Sequence, residues 1–265
     1  MPLLSKRRIA VFAAQVLTVI GLIVAWQLLV QFNIVSDLLV APPSVVFPNF
    51  WAILHYNPPG GSADVPFGIV QSMSIVAAAV VIAVLAGVIL GVTIGSVTFL
   101  RNVLEEYIVA FYALPKVTLL PFFWILFGLS IRYRLAYAAL DATFPIMLIM
   151  IYATRSVDPA LMKMAKAVGA SRTQRIFKIF FPSIIPSFMG GIRIGFVSAF
   201  IGVILAEMFV GNTGIGYLVR NFTDIFATTL LYGVILAVII ISVAVNISLL
   251  AIEKYLTRWK TMAPA

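Results

Sequence analysis

Long uncharged apolar runs, separated by short polar breaks, dominate this chain from end to end. A run of about 18 or more apolar residues is long enough to cross a bilayer as a helix. Six such spans are predicted, at about 9–30, 67–97, 107–127, 135–152, 185–210 and 230–252. The first follows Lys6, Arg7 and Arg8, the layout of a signal peptide. Its apolar run is longer than a signal core and no clean small-residue cleavage site follows, so it is expected to stay as a helix. The second is long enough to tilt strongly or to begin at the interface. The third is interrupted by Pro115 and Pro121.

Two polar segments are longer than turns. Residues 31–66 are rich in turn formers, with Pro42-Pro43-Ser44 and Pro58-Pro59-Gly60-Gly61, and read as loop with one short helix. Residues 154–184 behave differently. Asp158 before Pro159 is a helix start, because the carboxylate accepts from free backbone N–H groups and proline suits the first turn. The helix 159–168 is expected to carry Leu161, Met162, Ala165 and Val168 on one side, with Lys163 and Lys166 elsewhere. Gly169, able to take positive φ, ends it. Ser171 with Gln174 forms a capping box for a second helix, in which Arg172, Arg175 and Lys178 recur every third residue opposite Ile176, Phe177, Ile179 and Phe180. Pro182 is expected to break this helix at the membrane and Pro186 to open the next span. Residues alone leave two readings of this insert: a basic amphipathic hairpin resting on anionic lipid, or a docking element for a protein partner.

Composition narrows the picture. With 63% apolar and only 10% charged residues, the chain is unlike a soluble domain, in which about a quarter of residues are charged; it is an all-α integral membrane protein. The net charge of +9 reflects loop bias and not nucleic-acid binding. With the N-terminus inside, thirteen lysines and arginines fall in inner segments and three (Arg132, Arg134 and Arg220) in outer ones. Both termini and the insert are therefore expected on the cytoplasmic side of a cell membrane. There is no cysteine and one histidine, His55, which argues against a thiolate or histidine metal site. The chain divides into residues 1–66, a first span with an extracytoplasmic loop, and a core at 67–260.

Ionisable residues within the spans each require a partner or a role. Lys116 lies roughly 16 Å along the helix from Glu105 at 1.5 Å per residue, near mid-membrane. It suits either a cation lining a path, beside Phe111 and Tyr112, or a structural pair. Asp141 and Glu207 are placed toward the outer ends of their spans, near the outer arginines, and suit ion pairs, an outer gate or a contact for a binding protein. Arg193 suits snorkelling to the inner interface. Gly87, Gly91 and Gly95, and likewise Gly191 and Gly195, repeat at spacing four and predict close helix contact.

No catalytic set is present, and no Gly-Lys-Ser/Thr phosphate loop, so the chain is not itself an ATPase. The insert carries a spaced pattern: Ala165, Gly169, nine residues, Ile179, then Phe181-Pro182. It resembles the cytoplasmic loop of permease subunits of ATP-binding-cassette importers, written Glu-Ala-Ala, three residues, Gly, nine residues, Ile, one residue, Leu-Pro. Lys163, Met164 and Phe181 depart from that pattern. "LPKVTLLPFFWILFGLS" (114–130) is similar to the proline-broken span of these permeases. "AEMFVGNTGIGYLV" (206–219), with Glu207, Gly214 and Gly216, is similar to their outer loop, and "LVAPPSVVF" (39–47) to the nitrate/sulfonate/taurine-type subfamily.

The resemblance covers about residues 67–255. It implies a type I importer permease-like fold of six transmembrane helices with a cytoplasmic coupling helix. That helix (Asp158, Pro159, Leu161, Met162, Lys163, Ala165, Lys166, Gly169 and Ala170) would seat in an ATPase subunit. It further implies a second permease copy, two ATP-binding subunits holding ATP and Mg outside this chain, an extracytoplasmic binding protein meeting Glu207, Gly214, Gly216, Arg220 and Asp141, and surrounding membrane lipid. The solute would be a small anion or a vitamin-like heterocycle such as a pyrimidine precursor or riboflavin. An ion-coupled secondary transporter is the alternative; it would need acidic residues at the midplane and repeat-related broken helices.

Overall fold

A computed structural model describes residues 2–57 and 64–257. Every regular element among them is helical: α1 (Pro2–Gln31), α2 (Pro43–Leu54), α3 (Val65–Ser96), α4 (Thr98–Ala113), a 3-10 turn (Lys116–Leu119), α5 (Leu120–Phe127), α6 (Ile131–Arg155), α7 (Pro159–Ala167), α8 (Arg172–Arg175), a π turn (Ile176–Phe180), α9 (Phe181–Val210), α10 (Ile215–Asp224) and α11 (Thr228–Leu256). Five helical runs are long and apolar enough to cross a membrane, and the bent pair α4–α5 makes a sixth if it crosses. The turn expected at Pro58–Gly61 and the cations Arg258 and Lys260 lie outside the described residues.

The chain forms two compact units. One comprises Met1–Pro66 with Leu218–Ile239, the other Phe67–Tyr217 with Ile240–Ala265. The sequence division at residue 66 does not anticipate that 218–239 joins the first. There, Trp26 lies 5.4 Å from Tyr232, Tyr56 meets Phe222 edge-on, and Gly233 leaves room for Ile53: a Cβ on Gly233 would lie 2.6 Å from that side chain. The short helix of the first loop is α2, tied to α1 by the Ser44 N–H donating to Gln27 Oε1.

The second unit is organised around α6. Gly87, Gly91 and Gly95 of α3 face it, and so do Gly195 and Gly202 of α9. A Cβ on Gly91 would lie 2.6 Å from the Met147 carbonyl oxygen and from Met150 Cβ. One on Gly87 would lie 2.8 Å from Ile146 Cγ2, and one on Gly195 2.5 Å from Ile146 Cδ1. Ile146 is thus wedged between two glycines of different helices, with no exposed surface. Lipid tails are as apolar as leucine, so spans associate by such close van der Waals contact and not by escape from water.

The third span is not one straight helix, as its interruption by Pro115 and Pro121 leads one to expect, and it begins earlier than 107: α4 runs from Thr98 to Ala113, and the 3-10 turn and α5 leave it at 86°. Proline drives its preceding residue out of the helical region, and Leu114 is extended at ψ 141. Pro121 then enters the first turn of α5, where its missing N–H costs nothing. Thr118 donates through both its N–H and its hydroxyl to the Pro115 carbonyl freed by the break. Nor does Pro182 end a helix. Residues from Arg172 to Val210 form one continuous run of 39 residues. The π turn Ile176–Phe180 widens the helix just before Pro182, and the Ser183 hydroxyl donates to the Ile179 carbonyl.

Replacing Gly91 with alanine should cost about 1–3 kcal/mol by overpacking against the α6 backbone. Gly190 has open space around its Cβ position, so Gly190→Ala should be neutral or gain up to about 1 kcal/mol. Thermal unfolding of both variants in one detergent compares them.

Candidate functional site

Three clusters carry the polar chemistry of the second unit. The first is α7. Asp158 Oδ1 accepts the Ala160 N–H at 2.7 Å, capping the start. At the other end Ala170 N–H donates to the Ala165 carbonyl and Gly169 N–H to that of Lys166, with Gly169 at φ +82. These paired bonds satisfy the final carbonyls and need a left-handed residue. Around Gly169 itself there is open space, so its requirement is conformational. The capping box follows, with Ser171 and Gln174 each accepting the other's N–H. The faces of α7 differ from expectation. Ala165 is buried and Met162 half-buried, but Leu161 and Val168 are exposed together with Met164, Val168 by 84%. Lys163 and Lys166 are exposed too. The outcome is a rigidly capped helix with an uncovered apolar strip beside two cations.

The second cluster sits at the break after α4. Lys116 Nζ lies 2.8 Å from Asp141 Oδ1, both side chains being mostly covered, and 4.8 Å from the Tyr112 ring centre. Asp141 is therefore not grouped with the outer arginines. It lies near the middle of α6, four residues before Pro145, and answers the cation at the break. The pair explains how a lysine sits among apolar residues: a lone buried charge is costly, and a matched one far less so. Phe111 stacks on Phe144, and both Phe111 and Tyr112 keep exposed faces.

The third cluster surrounds Glu207, fully buried on α9. Its carboxylate accepts from Ser72 Oγ at 2.8 Å and from the Gly216 N–H at 2.9 Å. Ser72 Oγ in turn accepts the Ile215 N–H. Arg134 Nη1 stands 3.7 Å from Glu207 Oε1 and donates to the Thr213 carbonyl, while Nη2 donates to Asn212 Oδ1. Arg134 is only 3% exposed, so it is a buried clamp and not an outer-loop charge. The loop folds around the carboxylate: a Cβ on Gly211 would meet the Glu207 backbone, one on Gly214 (φ +101) the Glu207 carboxylate, and one on Gly216 the Ile204 carbonyl. Any side chain at these three positions would displace the loop. Arg220 is carried on α10. Arg193 pairs with Glu253 on α11, where snorkelling was expected.

Sequence reasoning singled out Glu207, Gly214 and Gly216 but missed Ser72 and the role of Arg134. The available signal was charge balance: Lys116 with Asp141, and Arg134 with Glu207, leave no net charge in the interior. Among the described residues no group of three or more His, Asp or Glu side chains is placed to hold a metal ion.

Residues 83–261 match the family described as binding-protein-dependent transport system inner membrane component. The chain is 25% identical to the taurine transport system permease protein of Escherichia coli, over 91% of this chain and 88% of the relative. It is 25% identical to the nitrate import permease protein of Synechocystis, over 84% and 80%. It is 27% identical to the riboflavin transport system permease protein of Chloroflexus aurantiacus, over 62% and 61%. Among solved structures it is similar to a chain of the MetNI methionine ABC transporter, with TM-score 0.63 and 16% identity over 72% of this chain and 94% of that one.

Breaking the clamp tests its weight. Arg134→Met leaves a buried carboxylate unpaired and should cost about 3–5 kcal/mol. Arg134→Met combined with Glu207→Gln should recover a large part of that loss. Thermal unfolding in nanodiscs, run as a double-mutant cycle, measures the coupling.

Proposed function

Because the chain belongs to the family of binding-protein-dependent transport system inner membrane components, and is a membrane-embedded permease of an ATP-binding-cassette importer for small solutes with the type I permease fold, we propose a finer reading. The solute is a small anion of the sulfonate, taurine or nitrate kind. Support comes from the relatives named for taurine and nitrate, which match 91% and 84% of this chain. Relatives named for riboflavin and formylaminopyrimidine match 62% and 63%, which makes a vitamin-like ring the second reading.

In this proposal two copies of the chain enclose the path, and an extracytoplasmic binding protein delivers the solute. Two cytoplasmic ATP-binding subunits, holding ATP and Mg, drive the cycle. Each seats one copy's residues 158–170, with both termini of this chain on the same side. The single observation behind the docking assignment is the exposed apolar strip Leu161–Met164–Val168 on a helix capped at both ends. Apolar surface of this kind needs a cover, and a capped nine-residue helix transmits a push without fraying.

Lys116, with Phe111 and Tyr112, lines the path in this proposal, and Asp141 is the counter-ion that lets the cation reside there. The glycine loop 211–216, held from beneath by Glu207, is the outer gate and meets the binding protein. Glu207 holds that loop from the interior.

In proteoliposomes with ATP-binding subunits and loaded binding protein, Gly169→Val should lose stimulated ATP hydrolysis while the chain still inserts. A β-branched residue at positive φ costs about 1–2 kcal/mol locally and frees the end of α7. Uptake that survives with hydrolysis-dead ATP-binding subunits, but stops when the ion gradient is collapsed, would overturn the ATP-driven reading. For the path, Lys116→Met/Asp141→Leu should keep the fold yet reduce anion uptake about tenfold, as the loss of about 1.4 kcal/mol of interaction does. Full uptake by this pair of changes would make the ion pair purely structural.

A further inference from the structure

We propose that a cleft between the end of α3, α7 and the α8–π turn is a binding site for an anionic phospholipid. The cleft has a volume of about 410 Å³ and is lined by Val92 and Ser96 of α3, Met162 of α7, Arg172 and Arg175 of α8, and Phe180, among others. Its lining joins two arginines to aliphatic and aromatic side chains. A phospholipid joins the same two chemistries, a phosphate and an acyl chain.

Position in the fold argues for lipid. Ser96 is the last residue of α3, and Arg172 opens the continuous apolar run to Val210. The cleft therefore lies where two spans reach the edge of the bilayer, at headgroup depth. Basic pockets at that depth attract anionic headgroups, each arginine contributing on the order of 1 kcal/mol. Arginine also presents paired donors that match a phosphate.

A second observation points the same way. Neither Arg172 nor Arg175 pairs with a carboxylate among the described residues, so their charge is not neutralised within the protein and is open to an anion in the cleft. The cleft is also separate from the strip proposed for the ATP-binding subunit. That strip is Leu161, Met164 and Val168, whereas the cleft uses Met162 from the other side of α7. A lipid and a protein partner can thus sit on the same helix at once, and this inference does not depend on which solute is carried.

The test uses the full chain in nanodiscs of phosphatidylcholine mixed with phosphatidylglycerol, with retained lipid read by native mass spectrometry. The wild-type chain should retain phosphatidylglycerol in preference to phosphatidylcholine. Arg175→Gln should weaken that preference about fivefold, and Arg172→Gln/Arg175→Gln by about thirtyfold. Lys178→Gln, a neighbouring cation outside the cleft lining, should leave it unchanged. Ser96→Trp fills the cleft with both arginines kept, and should also release the lipid, which separates a site from general surface charge. Wild-type preference retained by the double arginine variant overturns the proposal, as does unchanged retention in monodisperse Ser96→Trp. Unchanged lipid with lost association of the ATP-binding subunit also overturns it, and gives the cleft to a protein partner.

Discussion

The wedge of Ile146 between Gly87 and Gly195 is the contact on which the second unit rests. It brings α3, α6 and α9 close enough that no Cβ fits at either glycine. Where solvent is hydrocarbon, burying a methyl group gains nothing by leaving lipid, so packing density itself must hold helices together. The glycines provide that density by removing their own side chains. Both buried ion pairs then become possible, because Asp141 and Arg134 are carried on the same α6 and reach partners that the packing has already brought near.

These ion pairs do different work. Lys116 and Asp141 join the broken α4–α5 segment to the centre of α6, at the place where prolines leave the backbone irregular. Irregular backbone at membrane depth survives only where protein or water satisfies it, and here Thr118 does so for the Pro115 carbonyl. Arg134 and Glu207 instead organise a loop. The carboxylate draws in the Gly216 N–H and Ser72, and the guanidinium holds Thr213 and Asn212, so the loop has one conformation set by charge and one set of permitted residues set by space.

Much of this was legible in the sequence, for definable reasons. Apolar runs announce spans because length against bilayer thickness is a one-dimensional quantity. The caps of α7 and α8 were legible because Asp158-Pro159, Gly169 and Ser171…Gln174 act within a few residues of themselves. The glycine stripes were legible as contact surfaces, though not their shared partner Ile146. What stayed hidden depends on positions far apart in the chain: Ser72 meeting Glu207, Arg134 folding under the loop, Asp141 turning to Lys116. No period or spacing encodes such pairs. The continuity through Pro182 was hidden for another reason. A π turn is a local answer to proline that propensity alone does not anticipate.

The same geometry gives the proposed docking helix a mechanical path. Helix α7 is flanked by the end of α6 and, through α8 and the π turn, by the start of α9. Those two helices pack along one another and carry Arg134 and Glu207 toward their far ends. From Arg155 back to Arg134 is about 31 Å at 1.5 Å per residue, the thickness of a bilayer core. A displacement of α7 would therefore act on both helices at once, and close packing would transmit it, because interiors at this density deform little. At the other end stands the glycine loop, whose conformation is fixed by the two side chains those helices bring together. In the proposed reading, with α7 as docking helix and this loop as gate, the two are linked by two helices, one wedge and one ion pair.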